Sequence, residues 1–474
     1  MVSCLKKSKI EEARLPMFQS GHRFLASVSK DFVLHGLAGP DKMTLILSLL
    51  KRTGRYSKRA SPIHPLLMVW LVVALALYRD CSIINVFEKL VAWAKEREPR
   101  LFRGTVTPEA VIHARKRLGV LPLKSLHREM MKTCARSDLG FHGLRVFGID
   151  GSEFTIPDTN KNEAVFGRHK CGKGNPGYPH VRGLFSVEVA THRISNCCFL
   201  PCTSSEVAGL PFLMKDLDKG DLLLLDRGLA SFPTMFTCQQ REVRFLFRLS
   251  SNWVPQFVRK LGKGDTLMTF KASCAARKKL PVGAKNTTLT LRVLEFKVGK
   301  GELVRLVTDL IDPEKYPALE LAELYHDRWE CELAYKQLKS QLQAVTSSKQ
   351  QTHFRSKSPD GVLQEAWGMV VAHTLVRELM LESSTVAEVP PRKLSFTDSI
   401  EVIKLSFQRF QRGGSRYRAS LRRELIQELS SCLIARPRRK RQCPRVIKIK
   451  MSRFLCKREH HKEQPLDTDV EFVP

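Results

Sequence analysis

Apolar and polar positions recur along this chain with two different periods, and the change of period marks its organisation. Up to about residue 140 the apolar positions follow helical spacing. In "DKMTLILSLLKRTGRYSKRASPIHPLLMVWLVVALALYRD" two apolar helical segments flank a basic linker holding Lys51, Arg52, Arg55, Lys58 and Arg59. "TPEAVIHARKRLG" predicts a helix with Thr107 as N-cap, Pro108 at the first helical position and Gly119 as the stop. The pattern then becomes strand-like. "LRVFGIDGSEFTI", Leu144 to Ile156, predicts a buried strand that ends in polar residues. "FSVEVATHRISNCCFLP" predicts one or two more strands, and "SSEVAGLPFLMKDL" a helix. In "GDLLLLDRGLAS" the run Leu222 to Leu225 is wholly apolar, with Asp226 at its end. Such a strand is typically buried on both faces, in the middle of an α/β sheet. Residues 233 to about 312 read as strand-rich, and "LTLRVLEFKVGKGELVRLVTDL" as a hairpin turning at Gly299-Lys300-Gly301. Helices resume with "DPEKYPALELAELYHDRWE" and "GVLQEAWGMVVAHTLVRELMLE", and Arg436 to Lys462 carries a dense basic run. No internal repeat is visible.

The expected class is α/β, in five stretches: helical over 1–140, mixed strand and helix over 141–232, β-rich over 233–312, helical over 313–395, and helical with a basic tail over 396–474.

Composition sharpens this picture mainly through charge. The 474 residues are 43% hydrophobic, enough for a large core, and the 27% charged share is ordinary. The balance is not: 79 Lys and Arg face 47 Asp and Glu, for a formal charge of +32. A surplus of this size points to a polyanion, most often nucleic acid, with a ribosome-associated or membrane-surface protein as the plainer alternative. The apolar run Pro65 to Tyr78 is about 14 residues, short of the roughly 20 needed to span a bilayer, so a buried helix is expected and no membrane. Met1 to Ile10 has lysines without a following apolar run, which is not an export signal. The 13 cysteines are therefore expected to be reduced thiols. Neither Cys197, Cys198 and Cys202 nor Cys443, Cys456, His460 and His461 has zinc-site spacing. "GKGNPG", Gly172 to Gly177, fits a dinucleotide pattern, but no strand precedes it and no helix follows, so it reads as a basic loop. Arg168 and Lys170 in "FGRHK" are either DNA contacts or an exposed charge run.

The densest candidate chemistry is "LYHDRWECELAYKQLKSQ", Leu324 to Gln341. On an ideal helix of about 100° per residue with Tyr325 at 0°, Arg328 falls at about 300°, Glu332 at about 340° and Lys339 at about 320°. Asp327, at about 200°, and Glu330, at about 140°, point elsewhere. One reading is an Arg328–Glu332 salt bridge on a solvated face. The other is a wall that holds a metal and grips phosphates, which requires further carboxylates. Asp150 in "FGIDGS" and Asp226 in "LLLLDRGL" each close an apolar strand, and ligand sites in α/β sheets lie beyond the carboxyl ends of strands. A lone strand-end Asp is more commonly a turn or cap.

Taken together, these residues resemble a known family. Asp150 in "IDGS", Asp226 in "DRG" and the ordered set Tyr325, Arg328, Glu332, Lys339 resemble the DDE transposases of the insertion-sequence-four type, a group of bacterial cut-and-paste transposases. "GIDGSEFTIPDTNKNEAVFG", the helical region Met43 to Ala135 and the basic "RPRRKRQCPRVIKIKMS" also resemble that family, so the likeness covers most of residues 40 to 455. The resemblance implies an RNase H-like catalytic core with a β-strand insertion, a helical N-terminal DNA-binding domain and a basic C-terminal region. It implies that Asp150, Asp226 and Glu332 bind two Mg²⁺ or Mn²⁺ ions, and that Tyr325, Arg328 and Lys339 hold phosphates beside the cut. Trp253, the insertion's only Trp, is a candidate for a flipped base or for simple packing. The expected partners are the terminal inverted repeats of the element, target DNA and a second copy of the chain, inside the cell at the nucleoid. Two other readings stay open: a DNA-binding regulator that no longer transposes, and a nuclease of the same core without strand transfer.

Overall fold

The computed structural model describes residues 35–58, 61–97, 105–133, 140–169, 177–298, 303–341, 352–412, 415–434, 445–446, 463–464 and 470–473. Among the described residues five helices come first: α1 (His35–Arg52), α2 (Pro65–Leu77), α3 (Ile83–Arg97), α4 (Pro108–Leu118) and α5 (Leu121–Thr133). The wholly apolar α2 is buried from Leu66 to Leu77. Among the described residues no helix is long and apolar enough to cross a membrane. Thr107 accepts from the Ala110 N–H and Pro108 opens α4, which satisfies one of the donors a helix start leaves bare.

The chain then builds a mixed sheet. Strands β1 (Val146–Thr155), β2 (His180–Glu188) and β3 (Ile194–Pro201) form an antiparallel meander, with α6 (Asn160–Phe166) between the first two. β4 (Leu222–Leu225) lies parallel to β1 on its other side, Gly148 opposite Leu224. After α7 (Phe232–Gln240), β5 (Arg244–Arg248) adds parallel to β4, Leu225 opposite Phe247. The carboxyl ends of β1, β4 and β5 therefore share one edge of the sheet. Four more strands extend the same sheet: β6 (Gln256–Gly262), β7 (Asp265–Lys271), β8 (Thr288–Val298) and β9 (Leu303–Thr308), with β9 against β5. β10 (Val470–Phe472) pairs with β8, giving a ten-stranded sheet.

In the segment 233–312, α7 and β5 come before the strands β6 to β9. Its first helix and strand complete the central sheet, because β5 is fully apolar at Phe245 to Phe247 and needs both faces covered. "SSEVAGLPFLMKDL" forms three short helical pieces, Glu206–Gly209, Leu210–Leu213 and Met214–Asp216, rather than one helix. The segment from Ala318 also departs from one continuous helix. It runs as α8 (Ala318–His326), a turn at Asp327 and Arg328, α9 (Trp329–Lys336) and a π-helical turn Gln337–Gln341. Between α8 and α9 the amides of Asp327, Arg328, Glu330 and Cys331 each bond the carbonyl three residues back, so the chain tightens and changes direction.

The last helices are α10 (Pro359–Val386), α11 (Phe396–Arg412) and α12 (Ser415–Ser430). α10 packs against α2, α5 and α12, so the first and last helices share one core with α9 and one face of the sheet. Within it, buried Glu365 of α10 faces Arg79 at 3.5 Å, Arg115 of α4 at 3.7 Å and Arg355 at 3.9 Å.

Candidate active site

Asp150 projects from β1, one strand away from Asp226 at the end of β4. Glu332 comes from α9, which is pressed onto β1 at a position only glycine allows. A Cβ at Gly148 would lie 2.2 Å from the Cys331 sulfur. Gly148 stands two residues before Asp150, and Cys331 one residue before Glu332, so this contact sets the spacing between strand and helix carboxylates.

Arg328, in the turn between α8 and α9, links them. Its guanidinium lies 3.7 Å from Asp150 Oδ2 and 3.8 Å from Glu332 Oε1. Tyr325 at the end of α8 is close by, and its hydroxyl donates to the Leu225 carbonyl at 3.3 Å, beside Asp226. Asp150 Oδ1 accepts from the Gly151 amide at 2.7 Å. Asp226 Oδ1 accepts from the amides of Gly228 at 3.1 Å and Leu229 at 3.0 Å, so one of its oxygens caps its own turn.

The electrostatics of this group are unbalanced. Burial raises the Asp150 carboxyl, and Asp226 raises it further, against the Gly151 amide and Arg328. Glu332 is raised by burial and by Asp150, with Arg328 opposing. Burial pushes the Tyr325 phenol up to about 12, against the pull of Arg328 and Arg248. Acids that repel one another and are partly dehydrated favour a cation between them. Their donor set, carboxylate oxygens alone, suits hard divalent ions. Among the described residues, however, no three His, Cys, Asp or Glu side chains are already gathered at metal-binding spacing. Arg328 instead bridges Asp150 and Glu332. The chemistry of the site fits a divalent cation, and its bridging arginine is the group that would have to yield.

A fourth carboxylate belongs to the same neighbourhood. Glu206 is raised by burial and by Asp150, Asp226 and Glu153, and a Cβ on Gly151 would meet its Oε1 at 2.4 Å. Its sequence context, the middle of "SSEVAG", carries neither a strand-end position nor a motif spacing that would single it out.

The other candidate residues are placed less centrally. Lys339 lies in the π-helical turn with its ammonium 5.2 Å over the Phe154 ring; burial lowers it and Glu153 opposes. Arg168 pairs with Glu163 at 2.8 Å and with Asp158. Lys170 falls outside the described residues. Trp253 packs at 5.7 Å against Phe270 and lines a cavity of about 930 Å³ that also reaches Ser205 and Ala230. Glu330, pointing away from the site, accepts from buried His192 at 2.7 Å, while the other ring nitrogen of His192 faces Gln337 and Arg377. Burial and Arg377 hold His192 down at about 4, so it is a neutral donor to Glu330. Asp327 pairs with Arg392 at 3.2 Å.

Comparison with known proteins bears on the whole chain. The insertion element 4 transposase N-terminal family matches residues 34–128, and the transposase DDE domain family matches residues 142–375. The transposase InsG for insertion sequence element IS4 of Escherichia coli (strain K12) is 31% identical over 417 residues, 85% of this chain and 89% of that protein. The chain belongs to the IS4 family of transposases. It is a DDE transposase, an enzyme of metal-dependent DNA cleavage and strand transfer. The putative transposase InsZ of the same organism is 25% identical over 136 residues, 28% of this chain and 46% of that protein. Among solved structures, a piggyBac transposase synaptic complex with hairpin DNA is similar over 86% of each chain, at 11% identity and a TM-score of 0.40.

Proposed function

We propose that Asp150, Asp226 and Glu332 are the carboxylates of the cleavage centre and hold two Mg²⁺ or Mn²⁺ ions. The observation that carries this is that three acids distant in sequence converge at one sheet edge, with Arg328 between two of them at 3.7 and 3.8 Å. When bound, the ions would supply Lewis-acid stabilisation of the attacking and leaving oxygens at phosphorus. The chain's own groups would do the rest. The bond from a water or 3′-hydroxyl oxygen to phosphorus forms as the bond to the departing 3′-oxygen breaks. Arg328 can turn its two-pronged donor from carboxylates to the scissile phosphate, which needs the same bidentate geometry. Tyr325, anchored on the Leu225 carbonyl, and Lys339 would position the neighbouring phosphates.

The strand order β3-β2-β1-β4-β5, with β2 alone antiparallel to its neighbours, supports an RNase H-like core. The strands β6 to β9 would be its insertion, and the Trp253 cavity is large enough for a base. The basic helices α1 to α5 would bind the element's terminal inverted repeats, and two copies would join to bring the two ends and target DNA together at the nucleoid.

The test is Mg²⁺-dependent cleavage of end DNA by Asp150→Ala, Asp226→Ala, Glu332→Ala and Glu330→Ala. The first three should be inactive and bind DNA normally. Activity in Glu332→Ala with none in Glu330→Ala would overturn the assignment.

A further inference from the structure

Beyond Asp226, on the side away from Glu332, the sheet edge holds a second basic cluster. Arg227 follows Asp226, and Arg248 ends β5, the neighbouring strand, close enough to pull on the Tyr325 phenol. Arg305 lies on β9, whose backbone carbonyl receives the Leu249 amide at 2.8 Å. Arg227, Arg248 and Arg305 line one cavity of about 410 Å³ together with Ser251 and Glu295. Glu295, opposite Arg305 in the β8–β9 ladder, is the one acid in its lining among the described residues. It pairs with Arg305 at 2.7 Å, and Arg305 Nη1 donates to the Trp253 carbonyl at 3.1 Å. Arg305 is thus oriented by its partners, while Arg227 is exposed.

We infer that this cavity binds a backbone phosphate of the DNA, one that lies past Asp226 and is not the phosphate being cut. The inference rests on the reading of Asp150, Asp226 and Glu332 as the cleavage centre. Three observations carry it. The cavity opens at the same sheet edge as the carboxylates. Its described lining is mostly arginine, opposite in sign to those acids, so a polyanion crossing them gains a cationic hold at the far side. Its donors are arginines, whose rigid forks suit phosphate oxygens better than a lysine's point charge. The turn Ser250 to Trp253 separates it from the apolar Trp253 cavity, and the Arg305–Trp253 bond ties the two together. The DNA would therefore meet cations on both sides of the acids: Arg328 and Lys339 on one, the arginine cavity on the other.

The experiment is a binding measurement in EDTA, so that no cleavage occurs. The probe is a duplex carrying the inverted repeat that flanks the coding sequence, with single phosphates replaced in turn by neutral methylphosphonates. In the wild-type chain one replacement near the cut should weaken binding about tenfold, and the dependence of log affinity on log salt should include that contact. In Arg227→Gln/Arg248→Gln that position should become silent, and the salt slope should fall by about 1. The exposed single variant Arg227→Gln, which leaves the fold alone, should show a smaller penalty at the same position. Arg227→Lys/Arg248→Lys should restore the slope but not the full affinity. An unchanged methylphosphonate profile in the double variant, with a normal melting temperature, overturns the inference. Cleavage by Asp226→Asn would instead overturn the catalytic reading, and the EDTA profile would still report on the arginines.

Discussion

Two clusters of charge in this molecule are built from the same residue types in inverse proportion. At the sheet edge Asp150 and Glu332 share one close arginine, with Asp226 within its electrostatic reach; in the helical core one acid, Glu365, is shared by Arg79, Arg115 and Arg355. Side chains at the sheet edge remain accessible, Asp150 at 21% and Glu332 at 39%, whereas Glu365 is 3% exposed. Burial alone would raise the Glu365 carboxyl, but Arg115, Arg355, the Ser356 hydroxyl and Arg79 together bring it below its ordinary value. Asp150 and Glu332 move the other way. An acid surrounded by cations is satisfied and can only hold elements together. Acids that crowd one another at an opening are left in want of a cation, and that unmet demand suits a binding site. The buried cluster joins α4, the segment after α2 and α10, so it locks the N-terminal helices to the rest of the chain.

The comparison can be broken by removing one carboxylate from each cluster. Glu332→Gln should lower the cleavage rate by on the order of 10³-fold. Its melting temperature should stay level or rise, since a repelling acid has been neutralised. A variant that melts well below the wild type would show that Glu332 is structural. Glu365→Gln should do the reverse, costing about 3–5 kcal/mol by leaving three largely buried arginines without their counter-charge. Denaturant titration measures that loss, and a change under about 1 kcal/mol would dissolve the distinction drawn here.

Acid sharpens the same contrast. Because the folded-state value of Glu365 is lowered, its contribution is present above the unfolded carboxylate value and is lost as pH falls through the lower folded value. Glu365→Gln should therefore show a shallower loss of stability in acid than the wild type. Parallel curves would remove Glu365 from the account.

Smaller effects test how the site is held in place. Gly148→Ala would drive a methyl into the Cys331 sulfur and should cost about 1–3 kcal/mol together with much of the cleavage. Gly148→Ala/Cys331→Ala should recover both; failure to recover would mean that the contact does not set the position of α9. Glu330→Gln keeps an acceptor for His192, so cleavage should stay within about tenfold of wild type. A loss as deep as that of Glu332→Gln would exchange the roles of the two glutamates.

Legibility from the sequence followed the range of the interaction. The α2 helix, the Thr107 cap and the apolar β4 strand are local patterns, and the structure has them where the patterns lie. The run from Leu324 to Gln341 reads as one helix because ideal periodicity carries no information about a tight turn at Asp327 and Arg328. Arg328 consequently reaches Asp150 from that turn, not from a helical stripe. Glu365 sits within α10 and His192 in the turn between β2 and β3, and Arg79, Arg115 and Arg377 reach them from segments far away in the chain. β5 was hidden in a strand-rich stretch, since only its pairing with β4 separates it from the strands that follow.

What the sequence by itself determined is local: strand-end acids, caps, apolar runs, an excess of 79 basic over 47 acidic residues, and the ordered motif Tyr325, Arg328, Glu332, Lys339. Those features depend on neighbours within a few positions or on the chain's total charge. Tertiary structure alone decided that α9 lies on Gly148, that Arg328 spans two acids, that Glu206 joins them and that three arginines meet beyond Asp226. The reason is physical: burial and electrostatic interaction depend on distance in space, which the order of residues along the chain does not specify.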